Sequence, residues 1–423
     1  MDKFRITGGH RLAGEVLISG AKNAGLPCLA ATLLTGEPVE IDNLPRVRDI
    51  VTMEKVLAAL GESCIHADGA TRVVTGASER FHAPYELVRT MRASVLVLGP
   101  QLARLRRARV ALPGGCAIGA RPVDLHLQAL ERLGATLRLE HGDIVAEAPG
   151  GLTGAEFTFE RITVTGTENL MMAAALARGV TVLRNAACEP EIVDLAELLN
   201  AMGARISGAG TRVVEISGVT QLGGARHAVI PDRIEAGTYV IAAALAGAGV
   251  TVRRCRPAHL AALLEVLAAA GVEFTFDADA IHVPAPHGTL RAVAAVTEEF
   301  PGFATDLQAQ LLALATQAEG RSEITEAIFE NRFQHVLELK RLGARIEVSG
   351  QTAAIDGPTR LQGTTVMASD LRASAALVLA GLVADGETVV DRIYHLDRGY
   401  ERMEVKLASL GAVVERFNPG PYR

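Results

Sequence analysis

The chain has 423 residues, with 42 Lys and Arg against 48 Asp and Glu, and its formal net charge of -6 argues against a general nucleic-acid binder while leaving room for a local Arg cluster that takes a small anion. Its length exceeds the roughly 250–300 residues at which single cores stop growing, so two domains are expected. Hydrophobic residues make up 49%, carried by Ala, Leu and Val, and the five cysteines (Cys28, Cys64, Cys116, Cys188, Cys255) are scattered without a C-x-x-C pair, which excludes a disulfide framework or zinc site as the first reading and fits a reducing compartment. The opening MDKFRITGGHRL lacks the apolar core of a signal peptide, and runs such as Ala376 to Ala384 fall short of the roughly 18 apolar residues of a membrane span, so a cytoplasmic protein is expected.

In chain order, Phe4-Arg5-Ile6-Thr7-Gly8 reads as a strand like Glu215-Ile216-Ser217-Gly218, and Arg11-Leu12-Ala13-Gly14 is similar to Arg360-Leu361-Gln362-Gly363. A sixfold repeat follows. LAALGE, LERLGA, LNAMGA, LAAAGV, LKRLGA and LASLGA end helices at Gly61, Gly134, Gly203, Gly271, Gly343 and Gly411, spaced by 68 to 73 residues. A second helix–Gly–strand junction precedes five of them, at Gly36, Gly179, Gly249, Gly320 and Gly386, with Arg107 near the matching place in the second unit. The third unit shows the plan most clearly. NLMMAAALARG reads as a helix and VTVLRN as a strand. Ile192, Leu195, Leu198, Leu199 and Met202 follow helical spacing, and ARISGAGTRVVEIS holds two strands. Each unit is thus β-α-β-α-β-β, the glycines sitting just past helix ends where a left-handed residue is wanted. The last unit stops after one strand, Val413 to Phe417, and the N-terminal 20 or so residues are expected to complete it. This divides the chain into a three-repeat domain over 22–229 and a discontinuous one over 1–21 and 230–423.

Fourteen residues before the junctions stand Lys22, Thr165, Glu235, Asp306 and Arg372, with Arg92 in a matching context (MRAS against LRAS). All fall near the start of the first helix of their unit, where free N–H groups and the dipole favour anions. A cation there is unfavourable to the dipole and calls for another reason. Solvation of helix ends is the ordinary one; recurrence at one structural position points instead to a cleft shared by Lys22, Arg92, Asp306 and Arg372 that binds a multiply charged ligand. Between the second unit's strand and helix lies LPGGCAIGARPVDLH, in which glycines permit close backbone approach to a ligand. Cys116 in that polar loop is not placed as a core residue, whereas Cys28, Cys64 and Cys255 lie in or beside apolar stretches and read as small core hydrophobes. A thiol of ordinary pKa, about 8.5, is protonated near neutrality and can serve as an acid. Nucleophilic use would want a partner, and His126, inside the following helix, reads as structural or surface.

The loop around Cys116, with GAKNA at 20–24, FATD at 303–306, ENRF at 330–333, DLRASAALVLAG and DRGYE, resembles the UDP-N-acetylglucosamine 1-carboxyvinyltransferase family over essentially the whole chain. The resemblance implies the enolpyruvyl transferase fold, a two-domain inside-out α/β barrel. It implies transfer of the enolpyruvyl group of phosphoenolpyruvate to the 3-hydroxyl of UDP-N-acetylglucosamine with release of phosphate, the first committed step of peptidoglycan synthesis, which needs no metal or organic cofactor. Cys116 is then the general acid, able to add to phosphoenolpyruvate or to the epoxide fosfomycin, and Asp306 takes the proton of the acceptor hydroxyl or holds that hydroxyl. Lys22, Arg121 and Arg398 are expected around the phosphate and carboxylate of phosphoenolpyruvate, with Arg92, Arg332 and Arg372 adding positive charge. Asn23, Pro122, Val123, Asp124, Leu125, Arg161, Thr163, Val164, Thr165 and Ile328 match positions near the nucleotide sugar. The domains are expected to close on the substrates. Cys188 stands where Arg is expected, with loss of a salt bridge, and Arg161 where Lys is common. The shikimate-pathway enolpyruvyl transferases and a catalytically silent paralogue are the alternatives; RPVDL with the loop Cys speaks against the first and the joint presence of Lys22, Cys116, Asp306 and Arg398 against the second.

Overall fold

The structure, a computed structural model, describes residues 1–76, 80–89, 91–112 and 123–420. Six four-stranded sheets share one plan. In the third repeat, Val180–Arg184 carries Glu156–Thr158 parallel on one side and Val213–Ser217 antiparallel on the other, and Arg205–Ser207 adds antiparallel to the last. The chain divides into two compact units, one of 20–112 and 123–230, the other of Met1–Ser19 and 231–420. Each holds three of the sheets and its own apolar core.

Strand burial follows the pleat. In Lys3–Thr7, Phe4 and Ile6 are buried while Lys3, Arg5 and Thr7 are partly open. The first helix of each repeat is largely buried, although Ala103, Arg104 and Leu105 at the end of the second repeat's helix are partly open. In the 20–230 unit these are α1 (Lys22–Ala31), α2 (Leu98–Leu105, preceded by the 3-10 turn Arg92–Val97) and α3 (Val164–Ala175). In the other unit they are α4 (Arg233–Ala246), α5 (Gln308–Ala315, preceded by the turn Thr305–Leu307) and α6 (Leu371–Val383). Helices α4, α5 and α6 pack on one another, and α3 packs on both α1 and α2. Their Ala and Gly content makes this approach possible: a Cβ on Gly99 would lie 2.3 Å from Asn169 Oδ1.

The second helices end as the sequence reading expects. Gly61, Gly134, Gly203, Gly271, Gly343 and Gly411 all have φ between +88° and +103°, the region that an L side chain enters only with strain. Two expectations need correction. The second unit's first-helix junction is Arg106, with φ +60°, rather than Arg107; it stands fourteen residues after Arg92, the same interval as elsewhere. The N-terminal segment does not go wholly to the sixth repeat. Lys3–Thr7 pairs antiparallel with Glu387–Asp391 and Val413–Phe417 and so completes that sheet. Leu12–Leu17 instead adds parallel to Gly247–Arg253 in the fourth, while Ala225–Ala228, the segment before the fourth repeat's first helix, adds parallel to Val39–Asp42 in the first. Among the described residues no helix is long and apolar enough to cross a membrane.

Candidate active site

In the 20–230 unit, the helix-start positions carry buried or half-buried charge. Lys22, the first residue of α1, keeps only 11% of its side chain exposed and pairs with Asp49 at 3.2 Å. A buried ammonium without such a partner would be costly. Neither α1 nor the turn begun by Arg92 has a side-chain cap. Arg92 and the neighbouring Asn23 are half-buried. At α3, Thr163 caps the helix by accepting from Gly166 N at 3.2 Å, and Val164 and Thr165 form its first turn, half-buried. Val123, Asp124 and Leu125 open the helix Asp124–Arg132, with Asp124 exposed and Leu125 buried. Arg161 is exposed. Cys116, Arg121 and Pro122 lie outside the described residues.

His126 is buried rather than on the surface, at 3% exposure. Its Nε2 is 3.3 Å from Thr165 Oγ1 and its Nδ1 3.0 Å from Asn169 Nδ2. Burial pushes its pKa down to about 4; Asp124 opposes that and Arg92 adds to it.

The other unit holds a tight ionic cluster. Arg332 Nη2 donates to Asp306 Oδ1 at 2.6 Å and Arg372 Nη2 to Asp306 Oδ2 at 2.8 Å. Both guanidiniums are about 95% buried, while a quarter of the Asp306 side chain stays open. Burial alone would raise the Asp306 pKa; the two arginines outweigh it and hold the carboxyl well below its usual value. Arg372 Nη1 and Arg332 Nε are buried with no hydrogen-bond partner among the described residues, so both guanidiniums keep donors for another acceptor. Arg372 also lies 5.5 Å from the centre of the Tyr400 ring.

A polar scaffold behind this cluster escaped sequence reasoning. Glu326, 1% exposed, accepts from Thr297 Oγ1, Thr305 Oγ1 and the backbone N–H groups of Ile328 and Phe329 at 2.8–3.0 Å, while Thr305 Oγ1 accepts from Arg332 Nη1 at 2.8 Å. Ile328 is thereby fixed by its own backbone. Gln310 Nε2 donates to the Asp306 carbonyl at 3.0 Å and shares its other hydrogen between Thr238 Oγ1 and Tyr400 Oη. A signal was present for Gln310 here and for Asn169 beside His126 in the other unit: both are amides among apolar helix residues, where a buried amide demands partners. Arg398 lies in the turn Leu396–Arg398, half-buried.

The remaining cysteines are as composition suggests. Cys28 and Cys255 are fully buried and Cys64 partly; burial pushes the thiols of Cys64 and Cys255 up to about 12 and about 11. Cys188 is also buried and donates to the Ala186 carbonyl at 3.8 Å, and Arg212 donates to that same oxygen at 3.3 Å. A guanidinium therefore stands beside position 188 although the residue itself carries none.

Residues 6–407 match the family model described as EPSP synthase (3-phosphoshikimate 1-carboxyvinyltransferase), and that fold with a carboxylate gripped by two arginines defines the class as enolpyruvyl transferase. The solved structure of the enolpyruvyl transferase NikO from Streptomyces tendae is 28% identical, covers 98% of this chain and 99% of its own, and superposes with a TM-score of 0.88. An EPSP synthase from Acinetobacter baumannii shares the fold at a TM-score of 0.76, 17% identity and 99% and 100% coverage. Curated proteins named UDP-N-acetylglucosamine 1-carboxyvinyltransferase are 58% identical in Solibacter usitatus, over 98% of this chain and 100% of that one, and 56% identical in Koribacter versatilis, over 99% and 97%. The chain belongs to the UDP-N-acetylglucosamine 1-carboxyvinyltransferase family, within the wider EPSP synthase family.

Proposed function

We propose that the protein transfers the enolpyruvyl group of phosphoenolpyruvate to the 3-hydroxyl of UDP-N-acetylglucosamine and releases phosphate, the first committed step of peptidoglycan synthesis, in the cytoplasm. The observation that carries this reading is the Asp306 carboxylate held between Arg332 and Arg372 in a chain 58% identical to a relative named for that acceptor. Cys116 is assigned as the acid that protonates the vinyl carbon while the acceptor oxygen bonds to the adjacent carbon, giving a ketal. Loss of a proton from the new methyl group and of phosphate from its neighbour restores the vinyl group on the acceptor. A carboxylate held well below its usual pKa is a weak base. We therefore assign Asp306 to hold and orient the hydroxyl, with proton removal requiring that a guanidinium first let go.

Lys22, Arg121 and Arg398 are assigned to the phosphate and carboxylate of phosphoenolpyruvate, with Arg92, Arg332 and Arg372 as further positive charge. Asn23, Pro122, Val123, Asp124, Leu125, Arg161, Thr163, Val164, Thr165 and Ile328 are assigned to the nucleotide sugar. The chemistry draws its reactive group from phosphoenolpyruvate, so no metal or organic cofactor enters it. Phosphate release with UDP-N-acetylglucosamine as acceptor, and none with shikimate 3-phosphate, is the expected result; release with the latter alone overturns the assignment. In the same preparation, intact-mass spectra after treatment with fosfomycin and the nucleotide sugar should show one adduct, located on Cys116.

A further inference from the structure

The side chain that links the elements assigned to the nucleotide sugar is one to which the proposed function gives no role. Asn169, wholly buried in the middle of α3, accepts from Gly99 N at 2.7 Å. A backbone N–H can only donate, so the amide oxygen must face α2 and the amide nitrogen must face the other way. That nitrogen donates to the Val95 carbonyl at 3.3 Å and points its remaining hydrogen at His126 Nδ1, 3.0 Å away. The imidazole Nδ1 is therefore an acceptor without a proton. In a neutral ring the proton then sits on Nε2, which donates to Thr165 Oγ1 at 3.3 Å.

We infer that His126, as the neutral tautomer protonated on Nε2, is a positioning residue for the nucleotide-sugar site. It ties the helix Asp124–Arg132 to the first turn of α3 through Thr165, and through Asn169 to the turn and helix that follow Arg92. Three segments assigned to substrate, those bearing Asp124 and Leu125, Thr163 to Thr165, and Arg92, thus share one buried hydrogen-bonded joint. The inference rests on the acceptor being a nucleotide sugar held by the first two of those segments; the Arg92 segment, assigned to added positive charge, keeps its Asn169 bonds through Val95 and Gly99 without the ring. The charged groups that act on the ring are Asp124, on its own helix, and Arg92, on the turn before α2; burial, with Arg92 adding to it, outweighs Asp124 and keeps the ring neutral near pH 7. A protonated ring would set an N–H against the Asn169 amide, whose flip Gly99 forbids.

Two readouts test it. In the full-length protein carrying 15N-labelled histidine, the nitrogen resonances of His126 should show Nδ1 bare and Nε2 protonated, unchanged from pH 8 down to about 5; a ring protonated at pH 7, or bearing its proton on Nδ1, overturns the inference. In steady-state kinetics, His126→Phe should raise KM for UDP-N-acetylglucosamine roughly tenfold or more, the loss expected from one buried hydrogen-bonding group, with KM for phosphoenolpyruvate within about twofold. His126→Gln, which keeps one donor and one acceptor, should recover most of that. An equal rise in both KM values, or no recovery with Gln, sinks the positioning role. If the unaltered protein fails to turn over UDP-N-acetylglucosamine, the acceptor assignment falls, while the resonances still decide the tautomer; if His126→Phe does not fold, the Gln variant and the resonances decide.

Discussion

At the scale of single residues, Lys22, Asp306, Arg332 and Arg372 are charges that cannot leave their partners cheaply. Arg372 has its guanidinium between the Asp306 carboxylate and the face of Tyr400, an arrangement that a planar fork fills and an ammonium does not. Arg372→Lys should therefore keep the fold and lower the rate of phosphate release by about 10²-fold or more, in the range of losing one preorganised electrostatic donor. A turnover rate within twofold of the parent would remove Arg372 from the chemistry. These residues were legible one at a time: Lys22, Arg92, Asp306 and Arg372 stand out because a charge recurs at one position of a repeat. Their pairing was not. Asp49 sits 27 residues from Lys22, and Arg332 and Arg372 lie 26 and 66 residues from Asp306, distances over which no local pattern speaks.

At the scale of elements, the repeat period is set by backbone geometry as much as by hydrophobicity. Six helices stop on a left-handed glycine because the chain must turn sharply into the next strand. Gly134 offers a clean measure of that requirement, since a Cβ there would meet nothing within 4 Å and only the φ of +94° opposes it. Gly134→Ala should cost about 1 kcal/mol in urea unfolding; a change within a few tenths would mean that the turn relaxes freely. The β-α-β-α-β-β order was readable from the sequence because helix and strand periods alternate with these glycines. The edge strand Leu12–Leu17 was misassigned because it is short and open, with only Leu12 and Val16 buried, and the choice of sheet rests on pairing rather than on pattern.

At the scale of the whole molecule, buried titratable groups pull stability in opposite directions with pH. His126 and His335 are both pushed by burial to about 4 from an ordinary 6.5. Unfolding takes up their protons below pH 6.5, so their contribution is whole above that value and is lost as pH falls toward 4. Glu235 runs the other way. Burial, only partly offset by Lys406, lifts it to about 7 from 4.5, so its contribution is present below pH 4.5 and is lost as pH rises through 7. The thermal midpoint should accordingly decline on both sides of a broad maximum. Glu235→Gln should gain on the parent steadily between pH 5 and 7.5 in scanning calorimetry, and parallel curves for the two proteins would refute the shifted Glu235.

What the sequence determined by itself was whatever repeats or is local: six units, their element order, the glycine junctions and the charged residues at helix starts, since each depends on neighbours within a turn or two. Tertiary structure alone decided which buried groups meet. The Arg332–Asp306–Arg372 cluster, the Glu326 scaffold and the His126–Asn169 joint each join elements from different repeats or distant turns, because a buried polar atom must find its hydrogen bond wherever packing brings a partner, and packing is a property of the folded chain.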